Sequence, residues 1–311
     1  GSNTALGHVS LTLNTTGGNN TAIGNGALSA NTTASNNTAV GHDALDKNTT
    51  GTSNTAVGAT ALDANTTGNS NNAVGINSLG ANTEGSNNIA IGNSALLLNT
   101  TASDNTAVGH IALSSNTTGH SNVAVGGNAL KDNQTSNQNT AVGFNSLHNV
   151  TGANNTAIGM DAGDNLTSGS NNACLGHLAR PSGATATNEV TLGDSNITAL
   201  RCAVQTVSSL SDGRDKTDII DSPDGLDLLN TLRPVKFTWA NREPNQKDGK
   251  SELGFIAQEL DEALGSKNEY INAVSKENPD KLEAAYGRFI PILVKAVQEL
   301  STKVQALEAV H

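Results

Sequence analysis

A serine and a lysine stand five residues apart at Ser211 and Lys216, within a polar segment at 208–219. A serine hydroxyl beside a lysine amine is a nucleophile and base that can attack a carbonyl carbon. The spacing alone is a weak signal, because both residue types are common in polar turns. The segment is therefore either an ordinary turn or part of an active site, and the surrounding sequence is needed to distinguish the two.

Several motifs after this pair give a more specific signal. They are Ser-Asp-x-Arg-x-Lys-x-x-Ile at 211–219, Leu-Leu-Asn-Thr-Leu-Arg-Pro-Val-Lys-Phe-Thr-Trp at 228–239, Gly-Phe-Ile-Ala-Gln-Glu-Leu at 254–260, and Tyr286 followed by an apolar helical pattern at 290–300. In this order they resemble the endosialidase-type C-terminal intramolecular chaperone domain of phage tail spikes and fibres. The resemblance spans residues 211–311.

By this resemblance the chain cuts its own peptide bond between Leu210 and Ser211, with Ser211 as nucleophile and Lys216 as base. The resulting ester would then be hydrolysed by water. A free lysine has a pKa of about 10.4, so the base must be buried to lose its proton at neutral pH. Backbone N–H groups of the following turn are expected to hold the oxyanion. If burial requires three packed chains, cleavage reports completed assembly.

Four further residues are candidate supporting groups: Asp212, Arg214, Gln258 and Glu259. The alternative for Asp212 is a helix N-cap, and the alternative for Arg214 is a surface ion pair. Gln258 and Glu259 either face the cleavage site or cap and solvate a helix. Some members of the family respond to ATP, which makes ATP a candidate ligand although the chain has no Walker loop. No other cofactor and no metal are expected.

The first part of the chain repeats the 17-residue unit Asn-Thr-Ala-Val-Gly-x-x-Ala-Leu-x-x-Asn-Thr-Thr-Gly-x-x. Thr-Ala-Val predicts a short strand and Asn-Thr-Thr-Gly predicts a turn. Such a unit is too short for two helices, so it predicts one coil of a parallel β-solenoid. Its central glycine recurs at the 17-residue period, with one unit a residue short, at Gly7, Gly24, Gly41, Gly58, Gly75, Gly92, Gly109, Gly126, Gly143, Gly159 and Gly176.

A lone unit cannot fold, because one Val and one Leu bury too little apolar surface to offset the conformational entropy of the ordered backbone. Neighbouring coils, and sister chains, must supply the rest. Over about residues 3–179 the unit resembles the head repeats of trimeric autotransporter adhesins and similar repeats of phage fibres. This resemblance implies a β-roll or β-helix with three chains side by side.

Composition separates the repeats from the rest of the chain. Phe144 is the one aromatic residue before residue 211, and most Lys and Arg residues come after it. The net charge of −11 without a basic patch argues against a nucleic-acid partner. No apolar run approaches the roughly 20 residues of a membrane span. Cys174 and Cys202 fit neither a metal site nor a disulfide framework and are expected to be buried thiols.

Three domains are expected: a solenoid shaft at 1–179, a β neck at 180–210 and the chaperone domain at 211–311. Gly1-Ser2 resembles a cloning remnant before a unit that starts in mid-repeat, so we expect the natural chain to extend further N-terminally. Short strands are predicted in the neck at 190–193, 197–200 and 203–207.

The last apolar residues follow a 4-3 spacing and predict a coiled-coil helix at 286–308. Its β-branched and leucine core positions nominally favour a coiled coil of two helices. The family resemblance and the symmetry shared with the fibre instead imply a coiled coil of three helices. The alternative is a single helix packed on its own domain. Pro291 either kinks the helix or marks its start. The seam residues are Tyr286, Ile290, Leu293, Val297, Leu300, Val304 and Leu307.

The expected fold is mainly β: a parallel β-solenoid of 17-residue repeats in a homotrimer, followed by a small α+β chaperone domain that ends in a coiled-coil helix. The expected function is a tail fibre or spike of the virion, assembled in the host cytoplasm. Its chaperone domain drives trimerisation and registration and is then released. The expected partners are two further copies and a host-surface glycan or protein receptor, with no nucleic acid and no membrane.

Two alternatives remain for the function. A bacterial trimeric surface adhesin could use the same repeat, although such adhesins usually end in a membrane β-barrel anchor. A glycan-cleaving tailspike enzyme is disfavoured, because residues 1–180 hold few carboxylates and no repeated carboxylate pair. Single-turnover self-cleavage is the one enzymatic activity that the sequence indicates.

Overall fold

A computed structural model describes residues 1–197, 199–201, 211–240, 249–276 and 282–309. The chain divides into two units, Gly1–Asp194 and Ser195–His311. Leu210 and the predicted strand at 203–207 lie outside the described residues. Within the described ranges, no helix is long and apolar enough to cross a membrane.

The first unit contains one parallel sheet, to which each coil contributes a strand of three residues. The strands follow each other in chain order, and each pairs with the strand of the next coil. This arrangement confirms the predicted parallel β-solenoid. The strands are β1 (Thr4–Leu6), β2 (Thr21–Ile23), β3 (Thr38–Val40), β4 (Thr55–Val57), β5 (Asn72–Val74), β6 (Ile89–Ile91), β7 (Thr106–Val108), β8 (Val123–Val125), β9 (Thr140–Val142), β10 (Thr156–Ile158), β11 (Ala173–Leu175) and β12 (Val190–Leu192).

The sheet continues beyond residue 179, where the sequence analysis places the end of the solenoid. β12 pairs in parallel with β11, and Val190 lies opposite Ala173, which keeps the period of the repeat. The start of the expected neck therefore forms one more coil. Residues 197, 199 and 200, which belong to the second predicted neck strand, are not in a strand.

Strands β2 to β11 bury their middle residue, whereas the residues on either side are half-buried or exposed. Ala39 is fully buried, whereas Val40 after it is half-buried. Cys174 takes the alanine position in β11 and is fully buried. Burial, with a smaller contribution from Glu189, raises the pKa of its thiol to about 11. The thiol is therefore protonated at neutral pH, as expected for a cysteine that fills space in the core.

A second buried row consists of the leucine four residues after the central glycine, in the coils from Gly24 to Gly143. Leu45 is fully buried and has a φ of 53°, and the equivalent leucines share this left-handed conformation. Such a conformation is unfavourable for a residue with a Cβ atom. Leu45 is held there because its N–H donates to the carbonyl of Ala61 in the next coil, at 2.9 Å. The sequence pattern does not predict this left-handed leucine.

The central glycine of each coil is required by the backbone. Gly41 has a φ of +143°, and a Cβ atom on it would lie 2.4 Å from the carbonyl oxygen of Gly58. The same clash recurs along the unit because every coil approaches the next in the same way. The glycine period therefore reflects both a positive φ and the close contact between coils.

Two rows of buried asparagines run along the solenoid. In the first row, the N–H of Asn37 donates to Oδ1 of Asn20 at 3.0 Å, and its side-chain amide donates to the carbonyl of Gly51 at 2.9 Å. In the second row, the amide of Asn48 donates to Oδ1 of Asn31 at 3.2 Å and to the same Gly51 carbonyl at 2.9 Å. The two rows therefore meet at one carbonyl in every coil that carries both asparagines.

The sequence analysis assigned the asparagines of the second row to turns and gave those of the first row no structural role. The first asparagine row comprises Asn20, Asn37, Asn54, Asn71, Asn88, Asn105, Asn122, Asn139, Asn155 and Asn172, all buried. The second asparagine row comprises Asn31, Asn48, Asn65, Asn82, Asn99, Asn116 and Asn133, all buried. They supply the polar partners that buried backbone groups need.

The second asparagine row stops at Asn133, because Val150 and Leu166 occupy the next two positions and are fully buried. Oδ1 of Asn133 is buried and has no hydrogen-bond partner. Val150 lies in the coil between Gly143 and Gly159, which is one residue shorter than the others. The repeat therefore changes length in one coil, and its core chemistry differs from that coil onward, at Val150 and Leu166.

The second unit is a small α/β region that ends in a long helix, as predicted. Its regular elements are α1 (Leu226–Leu229), β13 (Val235–Thr238), β14 (Ser251–Gly254), α2 (Ala257–Leu264), α3 (Asn268–Ile271), β15 (Val274–Ser275), β16 (Glu283–Ala284) and α4 (Ile290–Glu308). β13 pairs antiparallel with β14, and β15 with β16. The buried core comprises Leu228, Leu260, Leu264, Ile271, Ala273, Val274, Phe289 and Ile292.

The terminal helical segment begins at Tyr286, as predicted, but its first turn is not α-helical. Tyr286–Phe289 form a turn of 3-10 helix, and the α-helix starts at Ile290. Pro291 lies in the first turn of α4. A proline is tolerated there because the first N–H groups of a helix have no partner within the helix, so Pro291 marks the helix start and does not kink it.

Removing one asparagine from the first row should destabilise the solenoid. In Asn71→Ala, the backbone N–H of Asn88 loses its acceptor, which lies at 3.0 Å, and Gly85 loses a donor. We expect the free energy of unfolding to fall by about 1–3 kcal/mol, measured by urea denaturation of the full chain. Thr67→Ala, at an exposed position of the same coil, is the control. Equal effects of both changes would contradict the role of the row.

Candidate functional site

The structure places Ser211 and Lys216 in contact. Nζ of Lys216 donates a hydrogen bond to Oγ of Ser211 at 2.6 Å. In this arrangement the amine is the donor, whereas general-base catalysis needs the hydroxyl of Ser211 to donate its proton to a neutral amine along the same line. The geometry therefore fits a serine nucleophile with a lysine partner. The carbonyl of Leu210, which would be attacked, lies outside the described residues.

A short turn brings the lysine back to the serine. Residues Gly213–Asp215 form one turn of 3-10 helix with Asp212 as its N-cap. The N–H of Asp215 donates to the carbonyl of Asp212 at 3.2 Å, and the N–H of Lys216 donates to the carbonyl of Gly213 at 3.3 Å. The chain reverses over these residues, so a side chain five positions on can reach Oγ of Ser211.

Asp212 and Arg214 are joined by both backbone and side-chain bonds. Oδ1 of Asp212 accepts from the N–H of Arg214 at 2.9 Å, and the guanidinium contacts the carboxylate at 2.5–3.1 Å. The hydrogen bonds from Arg214 lower the pKa of the Asp212 carboxyl, and the same contact raises the pKa of Arg214. Both side chains are exposed, so the ion pair itself contributes little to stability.

The turn is already using several N–H groups that the sequence analysis expected to hold the oxyanion. Those of Arg214, Asp215 and Lys216 donate to Asp212 and Gly213 within the turn. A donor that is committed to the turn is not free for a developing negative charge. The expectation that this turn supplies the oxyanion hole is therefore wrong for these three groups.

The burial expected for the lysine is absent from the single chain. All residues from Ser211 to Asp221 are exposed, including Lys216. Ile219 and Ile220 are 73% and 80% exposed, which is unusual for two successive isoleucines. The pair is thus in contact, but within one chain it is exposed to water.

Gln258 and Glu259 lie in the first turn of α2. In the described part of the chain, neither forms a hydrogen bond or ion pair with Ser211 or Lys216. Glu259 forms an ion pair with Arg233, in which Nε and Oε2 are 3.0 Å apart. The contact with Arg233 lowers the pKa of Glu259. Gln258 is exposed. The structure therefore gives Glu259 a surface ion pair and gives neither residue a contact with the candidate nucleophile.

A cavity of about 300 Å³ lies beside this ion pair. Its lining includes Leu232, Phe255, Ile256, Arg233 and Glu259. Within the described ranges, no group of three or more His, Cys, Asp or Glu side chains is arranged to hold a metal ion.

A buried carboxylate that the sequence analysis missed lies shortly after the turn. Asp224 is 4% exposed and accepts hydrogen bonds from Nζ of Lys267 and from the hydroxyl of Tyr270. Burial alone would raise its pKa, but the bonds from Lys267 and Tyr270 outweigh burial and leave the pKa below its ordinary value. In the sequence, Asp224 stands before a glycine and is indistinguishable from a turn residue.

The terminal helix has one packed face and one exposed face. Ile292 and Ala296 are buried against the unit, at 5% and 3% exposure. Glu299 accepts a hydrogen bond from the N–H of Leu226 at 2.9 Å and so connects α4 to the start of α1. The predicted seam, by contrast, lies on the exposed face: its residues Tyr286, Ile290, Leu293, Val297, Leu300, Val304 and Leu307 are between 45% and 66% exposed.

The Asp224 contacts predict an acid-sensitive contribution to stability. Its pKa is lower in the folded chain than the ordinary 3.8, so the folded state takes up the proton less readily than the unfolded state. The contribution is complete above about pH 4 and is lost as the pH falls through 3.8 towards the folded value. Asp224→Asn should lower the urea midpoint of the second unit at pH 7 and flatten its decline in acid.

Asp221→Asn, which changes an exposed carboxylate three residues earlier, is the matched control for that experiment. It should leave the acid profile as in the wild type. A wild-type profile in Asp224→Asn would show that the buried carboxylate does not contribute.

One known protein family matches part of the second unit. The family described as the chaperone of endosialidase matches residues 211–268, and the match begins at Ser211 itself. No curated protein matches the chain. No solved structure matches it either. Residues 211–268 are therefore similar to the chaperone of endosialidase, and the candidate nucleophile is the first residue of that similarity.

Proposed function

We propose that this chain forms the shaft and the intramolecular chaperone of a trimeric phage tail fibre or spike, and that it cuts itself between Leu210 and Ser211. The observation that carries the proposal is the contact between Lys216 and Ser211 at the first residue of the match to the chaperone of endosialidase. In this proposal the second unit brings three chains together in register. Cleavage then separates it from the finished fibre.

The seam on α4 supports association of copies. Its apolar residues repeat at heptad spacing and are exposed, while the opposite face of the helix is already packed. An exposed stripe of this length is costly in water and is buried when helices of several copies pack side by side. Three copies match the threefold symmetry that the fibre and its chaperone must share.

An apolar stripe on the solenoid supports the same arrangement. The last residue of every strand is aliphatic, and examples such as Ile91, Ile158 and Leu192 are 43%, 47% and 49% exposed. Successive members are about 4.8 Å apart, the spacing between paired strands. A second copy of the solenoid offers the same spacing and can cover the stripe along its full length. Its members are Leu6, Ile23, Val40, Val57, Val74, Ile91, Val108, Val125, Val142, Ile158, Leu175 and Leu192.

The cleavage chemistry needs no external reagent other than water. Lys216, once deprotonated, takes the hydroxyl proton of Ser211 as Oγ attacks the carbonyl carbon of Leu210. The peptide C–N bond breaks, the amine of Ser211 takes up a proton, and Leu210 is left as an ester on Oγ. Water then hydrolyses the ester and leaves a carboxylate on Leu210 and the free hydroxyl on Ser211.

Assembly would control the reaction through the environment of the lysine. In the single chain Lys216 is exposed and donates to Ser211. Packing of further copies over the exposed segment 211–221 would remove water and favour the neutral amine. Cleavage would then follow correct trimerisation. Release of the folding template would make the finished fibre slow to unfold.

Contact with a host-surface glycan or protein remains a prediction for the exposed polar positions of the solenoid. The proposed place of the protein is the virion, after assembly in the host cytoplasm.

Self-cleavage predicts two fragments with defined ends. A mass spectrum of the purified chain should show fragments 1–210 and 211–311, whereas Ser211→Ala and Lys216→Ala chains should remain intact. Thr217→Ala changes an exposed residue next to the lysine and should cleave like the wild type. A wild-type trimer that stays intact, or a Ser211→Ala chain that is cut, would refute self-cleavage by this pair.

Trimerisation through the seam predicts a specific loss of assembly. Leu300→Asp places a carboxylate in the apolar contact, where an unpaired charge is strongly unfavourable. Light scattering of the uncleavable Ser211→Ala chain should give a trimer mass, and adding Leu300→Asp should give a monomer. Gln298→Asp, on the same helix but outside the seam, should remain trimeric.

The same helix variant tests the control of cleavage by assembly. In the chain that keeps Ser211, Leu300→Asp should prevent cleavage. A monomeric variant that cleaves as fast as the wild type would rule out the control by assembly and leave self-cleavage intact.

A further inference from the structure

We infer that Asp212 is a positioning residue for self-cleavage, because its carboxylate closes the turn that holds Lys216 against Ser211. The inference rests on the proposed self-cleavage and goes beyond it by assigning a role to a residue that does not touch the reacting atoms. The connection runs from the Asp212 side chain through the backbone of Arg214 to the position of the lysine.

The turn has few other supports. Oδ1 of Asp212 accepts from the N–H of Arg214 at 2.9 Å, and the next two N–H groups form longer bonds of 3.2 and 3.3 Å within the turn. The N-cap has a φ of −70° and a ψ of 131°, the extended conformation usual at this position. A one-turn helix gains little from propagation, so a single cap contributes a large part of its order.

Within one chain, packing does not replace the cap in this segment. Every residue from Ser211 to Asp221 is exposed, so no described core contact holds the lysine in place. A lysine side chain has a long flexible stem and loses much rotamer freedom when its amine is fixed. The 2.6 Å contact with Oγ of Ser211 therefore depends on where the backbone turn directs the side chain.

The structure separates two ways in which Asp212 could act. As a cap, it needs only an oxygen that accepts from the N–H of Arg214, and an asparagine can supply that oxygen. As a charge, it needs the carboxylate and the guanidinium of Arg214. The cap bond goes to the backbone of Arg214, so replacing the arginine side chain should leave the cap in place. The exposed ion pair contributes little, and we assign the effect to the cap.

The experiment follows self-cleavage of the full chain after cell-free synthesis is stopped, at several pH values. Asp212→Ala should cleave about fivefold more slowly than the wild type, as expected for loss of an N-cap. Asp212→Asn and Arg214→Gln should stay within about twofold of the wild type, because each keeps an acceptor and a donor for the cap. The slowing in Asp212→Ala should be the same at each pH, since a change of position alters no proton equilibrium.

A second measurement tests the cap without cleavage. In the uncleavable Ser211→Ala chain, the amide of Arg214 should exchange its hydrogen slowly with Asp or Asn at position 212 and faster with Ala. Light scattering should show the same trimer in all three variants, so that slow cleavage is not caused by failed assembly.

The outcomes separate this inference from the proposed function. If the wild type does not cleave, self-cleavage fails, and the amide exchange of Arg214 still decides whether Asp212 orders the turn. If the wild type cleaves and Asp212→Ala cleaves equally fast, the positioning role is wrong while self-cleavage stands. If Asp212→Asn is as slow as Asp212→Ala, or shifts the pH profile, the carboxylate acts through its charge and the cap assignment is wrong.

Discussion

The solenoid depends on hydrogen bonds that reach from one coil to the next. The bonds from Asn37 to Asn20 and from Leu45 to Ala61 are typical, and they leave the polar groups of one coil incomplete without its neighbours. Because unpaired buried polar groups are costly, coils are stable only as a stack. The glycines at the centre of the repeat follow from the same constraint, since a side chain at Gly41 would collide with Gly58 of the next coil.

The second unit is built on a different principle, because its order comes from an apolar core and a few buried polar contacts. α4 is central to it, since Ile292 and Ala296 pack inward while the seam lies on the exposed side. Glu299 extends from this helix to the start of α1, and α1 begins two residues after the buried Asp224. A helix that is ordered by its own unit can present its outer face to other copies without having to fold on contact.

Much of this arrangement is visible in the sequence, for physical reasons. The period, the inward alanine of each strand and the parallel stacking follow from a pattern that repeats with little change. The left-handed Leu45 and the buried Asn48 do not, because they arise from bonds between coils that local preference does not encode. The contact of Lys216 with Ser211 was expected through family resemblance, since the spacing is uninformative by itself. The burial of Asp224 is not predictable from the sequence, because its partners Lys267 and Tyr270 are distant along the chain.

If copies of the chain lie side by side as proposed, the short coil that contains Val150 would restrict how they align. A perfectly periodic stack has translational symmetry, so a neighbour displaced by one coil would fit as well as an aligned one. The missing residue between Gly143 and Gly159, together with the end of the second asparagine row at Asn133, breaks this translational symmetry at one fixed level of the stack. A displaced neighbour would set this defect against a regular coil, and only one alignment brings the defects to the same level.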